Sequence, residues 1–202
     1  VSQAISVESP NAPQGKIVHD RPPMLAIGIM IWLGSEVMFF SGLFAAYFTI
    51  RANAHGVWPP PGTQLDYVRG TVFTIILVLS SFTMQYGVYK EEWRQRRAAR
   101  FWVAATLVLG AAFLLNQAYE WATIYPRAST NAYGSLFFIM SGLHGLHVFL
   151  GLVAMVFLLG RMKGREGGDP GELSALQGVS YYWHFVDIVW VGLFSCLFFL
   201  KG

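Results

Sequence analysis

Glu36, Glu120, His144, His147, His184 and Asp187 all lie within stretches otherwise apolar enough to cross a membrane. An ionisable group in hydrocarbon is costly, so such residues face a bundle interior, a cavity or a partner, and proton-sharing chemistry can collect there. Most fall in two clusters, Ser141-Gly142-Leu143-His144-Gly145-Leu146-His147 and Tyr181-Tyr182-Trp183-His184-Phe185-Val186-Asp187. His144 and His147, spaced i, i+3, share one helical face. Glu36 lies about 18 Å into its span, at 1.5 Å per residue, and the two histidines reach a similar depth. A carboxyl facing an imidazole pair at one depth can share a proton, and the same three groups can equally act as hydrogen-bonding glue between helices. His184 and Asp187 are also i, i+3 and can bond each other. Tyr181, Tyr182, Trp183 and Trp190 around them read as an interfacial aromatic belt at an anchored helix end. Glu120, beside Tyr119 and Trp121, is expected at the outer interface, solvated or lipid-facing.

Redox chemistry finds few ligands. Two ligands on one haem approach from opposite faces, whereas His144 and His147 project from the same side. His184, six residues into its span, is expected near the inner end, at another depth. Cys196 is the single cysteine, which excludes an internal disulfide, a structural zinc site, an iron–sulfur cluster and a thiolate-bridged copper pair. Walker loops, His-Glu-x-x-His and nucleophile elbows are absent from the sequence.

The elements that position these residues are membrane spans. The chain has 202 residues, 54% hydrophobic and 12% charged, against about 25% charged in soluble domains. Five segments, 24–50, 69–89, 101–124, 133–160 and 179–200, reach the roughly 20 helical residues that cross hydrocarbon. None of the nine prolines falls inside them: Pro22 and Pro23 precede the first, Pro59, Pro60 and Pro61 follow it, and Pro126 and Pro170 sit in later loops. Continuous helices require that placement. The expectation is an all-α membrane protein, a bundle of five transmembrane helices over residues 24–202 behind a polar tail, 1–23. The first apolar run is too long for a cleavable signal core.

Lys16, Arg21, Lys90, Arg94, Arg96, Arg97, Arg100, Arg161, Lys163 and Arg165 lie on one side, and Arg51, Arg69, Arg127 and Lys201 on the other. Ten against four places the N-terminus in the cytoplasm, or its matrix equivalent, and the C-terminus outside. The net charge of +3 is spread over loops and implies no nucleic-acid partner. Ser41 with Ala45, Gly42 with Ala46 and Ser141 with Gly145 make small-xxx-small pairs that permit close helix approach. An autonomous proton or ion carrier using Glu36 and the histidines would need a continuous polar path. The second span offers little beyond Gln85 and hydroxyls.

A resemblance extends this reading. Trp32-Leu33-Gly34-Ser35-Glu36-Val37-Met38-Phe39-Phe40, Trp58-Pro59-Pro60, Tyr133-Gly134-Ser135, the Ser141–Val148 stretch and Tyr181 through Trp190 occur in the order found in subunit III of haem–copper terminal oxidases. The likeness covers roughly residues 20–200. It implies a proton-pumping oxidase of the bacterial plasma membrane, most simply a cytochrome c oxidase. A quinol oxidase of the same architecture is the close competitor. The resemblance further implies a subunit without a catalytic centre of its own, the haem and copper residing in partner subunits. Such a subunit packs on catalytic subunit I beside subunit II and other respiratory subunits, supports proton uptake and turnover stability, and holds phospholipid in a cleft. Glu36 matches the family's carbodiimide-reactive glutamate and His147 a residue near bound lipid. The mitochondrial form has two further N-terminal helices, so this chain resembles the short bacterial form. Helices of another subunit are then left to complete the lipid cleft.

Overall fold

A computed structural model describes residues 24–54, 58–60, 66–123, 131–162 and 170–200. The 1–23 tail and Lys16, Arg21, Pro22, Pro23, Pro61, Pro126, Arg127, Lys163, Arg165 and Lys201 lie outside the described residues. Five helices carry the chain: α1 (Met24–Ala52), α2 (Tyr67–Glu92), α3 (Arg96–Thr123), α4 (Ala132–Met162) and α5 (Pro170–Phe194). All five are long and apolar enough to span a membrane, and no strand occurs among the described residues.

Local chemistry sets the ends. Asp66 caps α2 by accepting from Arg69 N–H at 3.0 Å, and Asn131 Oδ1 caps α4 by accepting from Gly134 N–H at 2.8 Å. These satisfy orphan donors of the first turn. The α2–α3 turn closes with Gln95 N–H on Lys90 O and Arg94 N–H on Glu91 O, both 2.9 Å. Arg94 takes φ 55°, the left-handed position usually given to glycine. Beyond α5 a five-residue π-helix, Ser195–Phe199, follows directly. Its carbonyls are met by tyrosines from other helices: Tyr47 Oη donates to Cys196 O at 2.6 Å and Tyr133 Oη to Leu197 O at 2.8 Å.

α2, α3, α4 and α5 form the bundle and α1 leans on α5, meeting α4 only slightly. α5 is the most buried helix and α1 the least. The core is built around Trp183, fully buried, with its Nε1–H donating to Ser80 Oγ at 2.9 Å. Gly110 and Gly151 make room for its ring; a Cβ there would lie 2.6 and 2.9 Å from it. Trp190 and Tyr182 are buried as well. The expected aromatic belt is therefore corrected. Trp183 and Tyr182 enter the bundle where Gly110 and Gly151 leave room, Trp190 packs on Phe113 and His144, and only Tyr181 of the four is exposed.

The fifth helix begins nine residues before the predicted span, at Pro170 instead of 179. Its early turns bury Leu173 and Leu176, and Glu172 pairs with Arg96 of α3. On α1, the small residues Ser41, Gly42, Ala45 and Ala46 are all exposed. A Cβ added at Gly42 would meet nothing within 4 Å, because no described helix of this chain packs on that face.

Candidate functional site

Glu36 and His147 meet as expected. The middle residue of Met24–Ala52 is 38 and that of Ala132–Met162 is 147, so both groups sit at mid-helix. His147 Nε2 lies 3.2 Å from Glu36 Oε2. Its Nδ1 is 2.7 Å from Leu143 O. A carbonyl only accepts, so Nδ1 carries a proton. The Nε2–Oε2 contact then holds one further proton, on either partner. Phe40 stands edge-on to the imidazole at 5.0 Å and Phe39 packs at 6.4 Å. Tyr182 Oη donates to His147 O at 2.9 Å, and its ring stacks on Trp32 at 5.4 Å. The result is a carboxyl–imidazole pair walled by aromatics.

His144 does not join it. Residues three apart on a helix diverge by about 60°. With helices on several sides of α4, that angle separates the two rings. His144 is fully buried between Phe113 of α3 and Trp190 of α5, at 6.1 and 4.9 Å. Neither ring nitrogen has a hydrogen-bond partner among the described residues.

His184 and Asp187 occupy the α2–α5 seam, and Ser81 joins them. Its hydroxyl bonds Asp187 Oδ2 and lies 3.0 Å from His184 Nδ1, while His184 Nε2 reaches Ser180 Oγ at 3.2 Å and Gln85 Oε1 at 3.3 Å. The apolar segment Gly171–Phe199 is centred on residue 185. Both groups therefore sit at mid-helix, which corrects their expected place near a helix end. The early start of α5 moves them inward.

Glu120 is half-buried near the end of α3, within electrostatic reach of Asp66 and Arg69. Arg69 lies over the Tyr119 ring at 4.6 Å. The charges that open α2 fold toward it, so it is less solvated than expected. At the other end of the bundle, Arg96 pairs with Glu172, and Glu91 is buried nearby. The sequence places Arg96 among the topology-setting cations and leaves both glutamates unassigned. Their only signal is opposite charge at adjoining helix ends. Among the described residues no three His, Cys, Asp or Glu side chains converge as a metal centre would require.

A cleft of about 460 Å³ opens between α1, α4 and α5, lined by Leu25, Ile29, Trp32, Leu150, Gly178 and Tyr182 among others. Trp32 and Tyr182 are shared with the surroundings of the Glu36–His147 pair. Its lining is almost wholly apolar, suited to hydrocarbon chains.

The sequence model of Cytochrome c oxidase subunit III matches residues 9–201. A probable cytochrome c oxidase subunit 3 of Nocardia farcinica is 46% identical over 97% of this chain and 98% of its own length. One from Mycobacterium tuberculosis is 45% identical over 90% and 91%. The cytochrome c oxidase subunit 3 of Corynebacterium diphtheriae is 41% identical over the full length of both. Five helices able to span a membrane and these matches agree: the chain belongs to the cytochrome c oxidase subunit III family and is part of an oxidase complex.

Proposed function

We propose that this chain is a non-redox supporting subunit of a proton-pumping oxidase that takes electrons from cytochrome c. It packs on catalytic subunit I, aids proton uptake and protects the enzyme during turnover. The carrying observation is the isolation of the Glu36–His147 pair. Phe39 and Phe40 pack on its imidazole, and a proton path through hydrocarbon needs satisfied polar groups at every depth. The pair holds a proton locally and fixes α1 on α4.

Haem and copper belong to the partner subunits on this reading. His147 is engaged at both ring nitrogens, His184 likewise, and His144 is walled by aromatics. The apolar cleft between α1, α4 and α5 takes phospholipid acyl chains, and the cation asymmetry orients the N-terminus toward the cytoplasm.

The test is affinity purification through a tag on this chain, in mild detergent. Subunits I and II should co-purify with haem and copper. After dissociation, the metals should remain with those subunits. Stoichiometric haem or copper retained on this chain alone would overturn the reading.

A further inference from the structure

The arginines that open α3 differ in what they meet. Arg96 pairs with Glu172 of α5. Arg97 and Arg100, spaced i, i+3 on one side of the helix, pair with no carboxylate among the described residues. Both line a groove of about 530 Å³ between α3 and α4, completed by Phe101, Ala104, Leu159 and Gly160. Arg97 is exposed and Arg100 half-buried.

The length of α3 sets the level of this groove. Its 28 residues make about 42 Å at 1.5 Å per residue, against roughly 30 Å of hydrocarbon. Centred in a bilayer, the helix emerges by about 6 Å, or about four residues, at each end. Arg97 then stands among headgroups and Arg100 at their inner boundary, while Phe101 and Ala104 enter the acyl region. Leu159 and Gly160, close to the end of α4 at Met162, reach the same level from the neighbouring helix. Aromatic side chains gather at this end of α2 and α3, with Tyr86 edge-on to Trp102 at 4.9 Å and Tyr89 6.1 Å from Trp93. Tyrosine and tryptophan concentrate at membrane interfaces. From Arg97 to Ala104, about 10 Å along the axis, the groove passes from cationic to apolar. A phospholipid has the same order of polarity. A small soluble anion would leave the apolar part unfilled, and a zwitterionic headgroup would bring its own ammonium against the two arginines.

We propose that the α3–α4 groove binds an anionic phospholipid, its phosphate held by Arg97 and Arg100 and an acyl chain laid along Phe101, Ala104 and Leu159. Guanidinium groups match phosphate oxygens in a bidentate fork, and basic pockets between spanning helices recognise anionic headgroups in this way. The site shares no residue with the apolar cleft between α1, α4 and α5. It adds a selection by headgroup charge that the cleft does not offer, and it stands whether or not that cleft holds lipid. Gly160 keeps the groove open, since a Cβ there would meet nothing within 4 Å.

The test places the intact oxidase complex in phosphatidylcholine vesicles doped with a probe lipid that carries a diazirine on its acyl chain. The probe is either phosphatidylglycerol or phosphatidylcholine, and adducts are mapped by peptide mass spectrometry. Phosphatidylglycerol should label Phe101, Ala104 or Leu159 at least about fivefold above phosphatidylcholine at equal mole fraction, the factor one basic residue near a membrane surface supplies. Leu115, exposed further along α3, should be labelled equally by both. Arg97→Gln combined with Arg100→Gln should bring the two probes level in the groove while Leu115 labelling persists. Gly160→Leu occupies open space beside the groove and should lower groove labelling by both probes. Equal labelling of the wild-type groove, a phosphatidylglycerol excess that survives either variant, or a groove left unlabelled under a partner subunit would overturn the proposal. Loss of the excess on adding inorganic phosphate at constant ionic strength would reveal a free-phosphate site and overturn it too.

Discussion

Replacing Gly110 by alanine should loosen the bundle at its tightest contact. The new methyl would sit 2.6 Å from Trp183 Cη2, 2.8 Å from Cζ2 and 2.9 Å from Leu152 Cδ2. Carbon–carbon contacts settle near 3.5–4.0 Å, so the ring must retreat by about 1 Å. Trp183 is fully buried, and its Nε1–H is 2.9 Å from Ser80 Oγ, so that retreat breaks the bond. Overpacking costs about 1–3 kcal/mol and a stranded buried donor about 1–3 more. Removing a helical glycine returns about 1 kcal/mol. A net loss of about 1–5 kcal/mol should lower the unfolding midpoint by roughly 2–20 °C for a chain of this length. Cys196 is buried and is the only cysteine in this chain. Its labelling by a thiol-reactive dye during heating, read on the resolved subunit band, reports the midpoint. Gly28→Ala is the control, because nothing lies within 4 Å of that position. Equal midpoints for the two variants would refute the packing argument.

Three further outcomes follow from the same geometry. His144→Leu removes a buried imidazole without a hydrogen-bond partner among the described residues and should shift the labelling midpoint little or upward. His147→Leu strips Glu36 of its partner and should cost about 1–3 kcal/mol in the same assay. A hydrophobic carbodiimide should modify Glu36 ahead of Asp187, since the Glu36 side chain stays 19% exposed while Asp187 is 5% exposed. Peptide mapping with label on Asp187 and none on Glu36 would contradict this. Tags at the two chain ends, probed in intact cells, should find the N-terminus inside and the C-terminus outside. Both ends on one side would refute the assigned topology.

The spans were legible because twenty-odd apolar residues between prolines admit little else. Depth alone set Glu36 level with His144 and His147 together. What failed was non-local. The 170–178 segment carries Glu172 and Gln177, which hydropathy counts against a span. Arg96, 76 residues away, neutralises Glu172. That error put His184 and Asp187 near a helix end instead of at mid-helix. Trp183 and Trp190 read as interfacial because tryptophan favours interfaces, and the space made by Gly110 and Gly151 cannot be seen in the flanking sequence. His144 and His147 share a face at the resolution of a helical wheel. They part once three neighbouring helices divide that face.

The central claim, that the chain supports the catalytic subunit without conducting its protons, is tested most directly by an oxygen-consumption trace. Traces from the wild-type complex, the Glu36→Gln complex and the complex depleted of this chain should be followed from first turnover to exhaustion. The Glu36→Gln amide can still donate to His147 Nε2, now 3.2 Å from the carboxyl, while it removes the titratable proton. Its initial rate should match wild type. The depleted enzyme should retain its haem and copper but run slower or die sooner. Loss of oxygen reduction in a fully assembled Glu36→Gln complex would contradict the account.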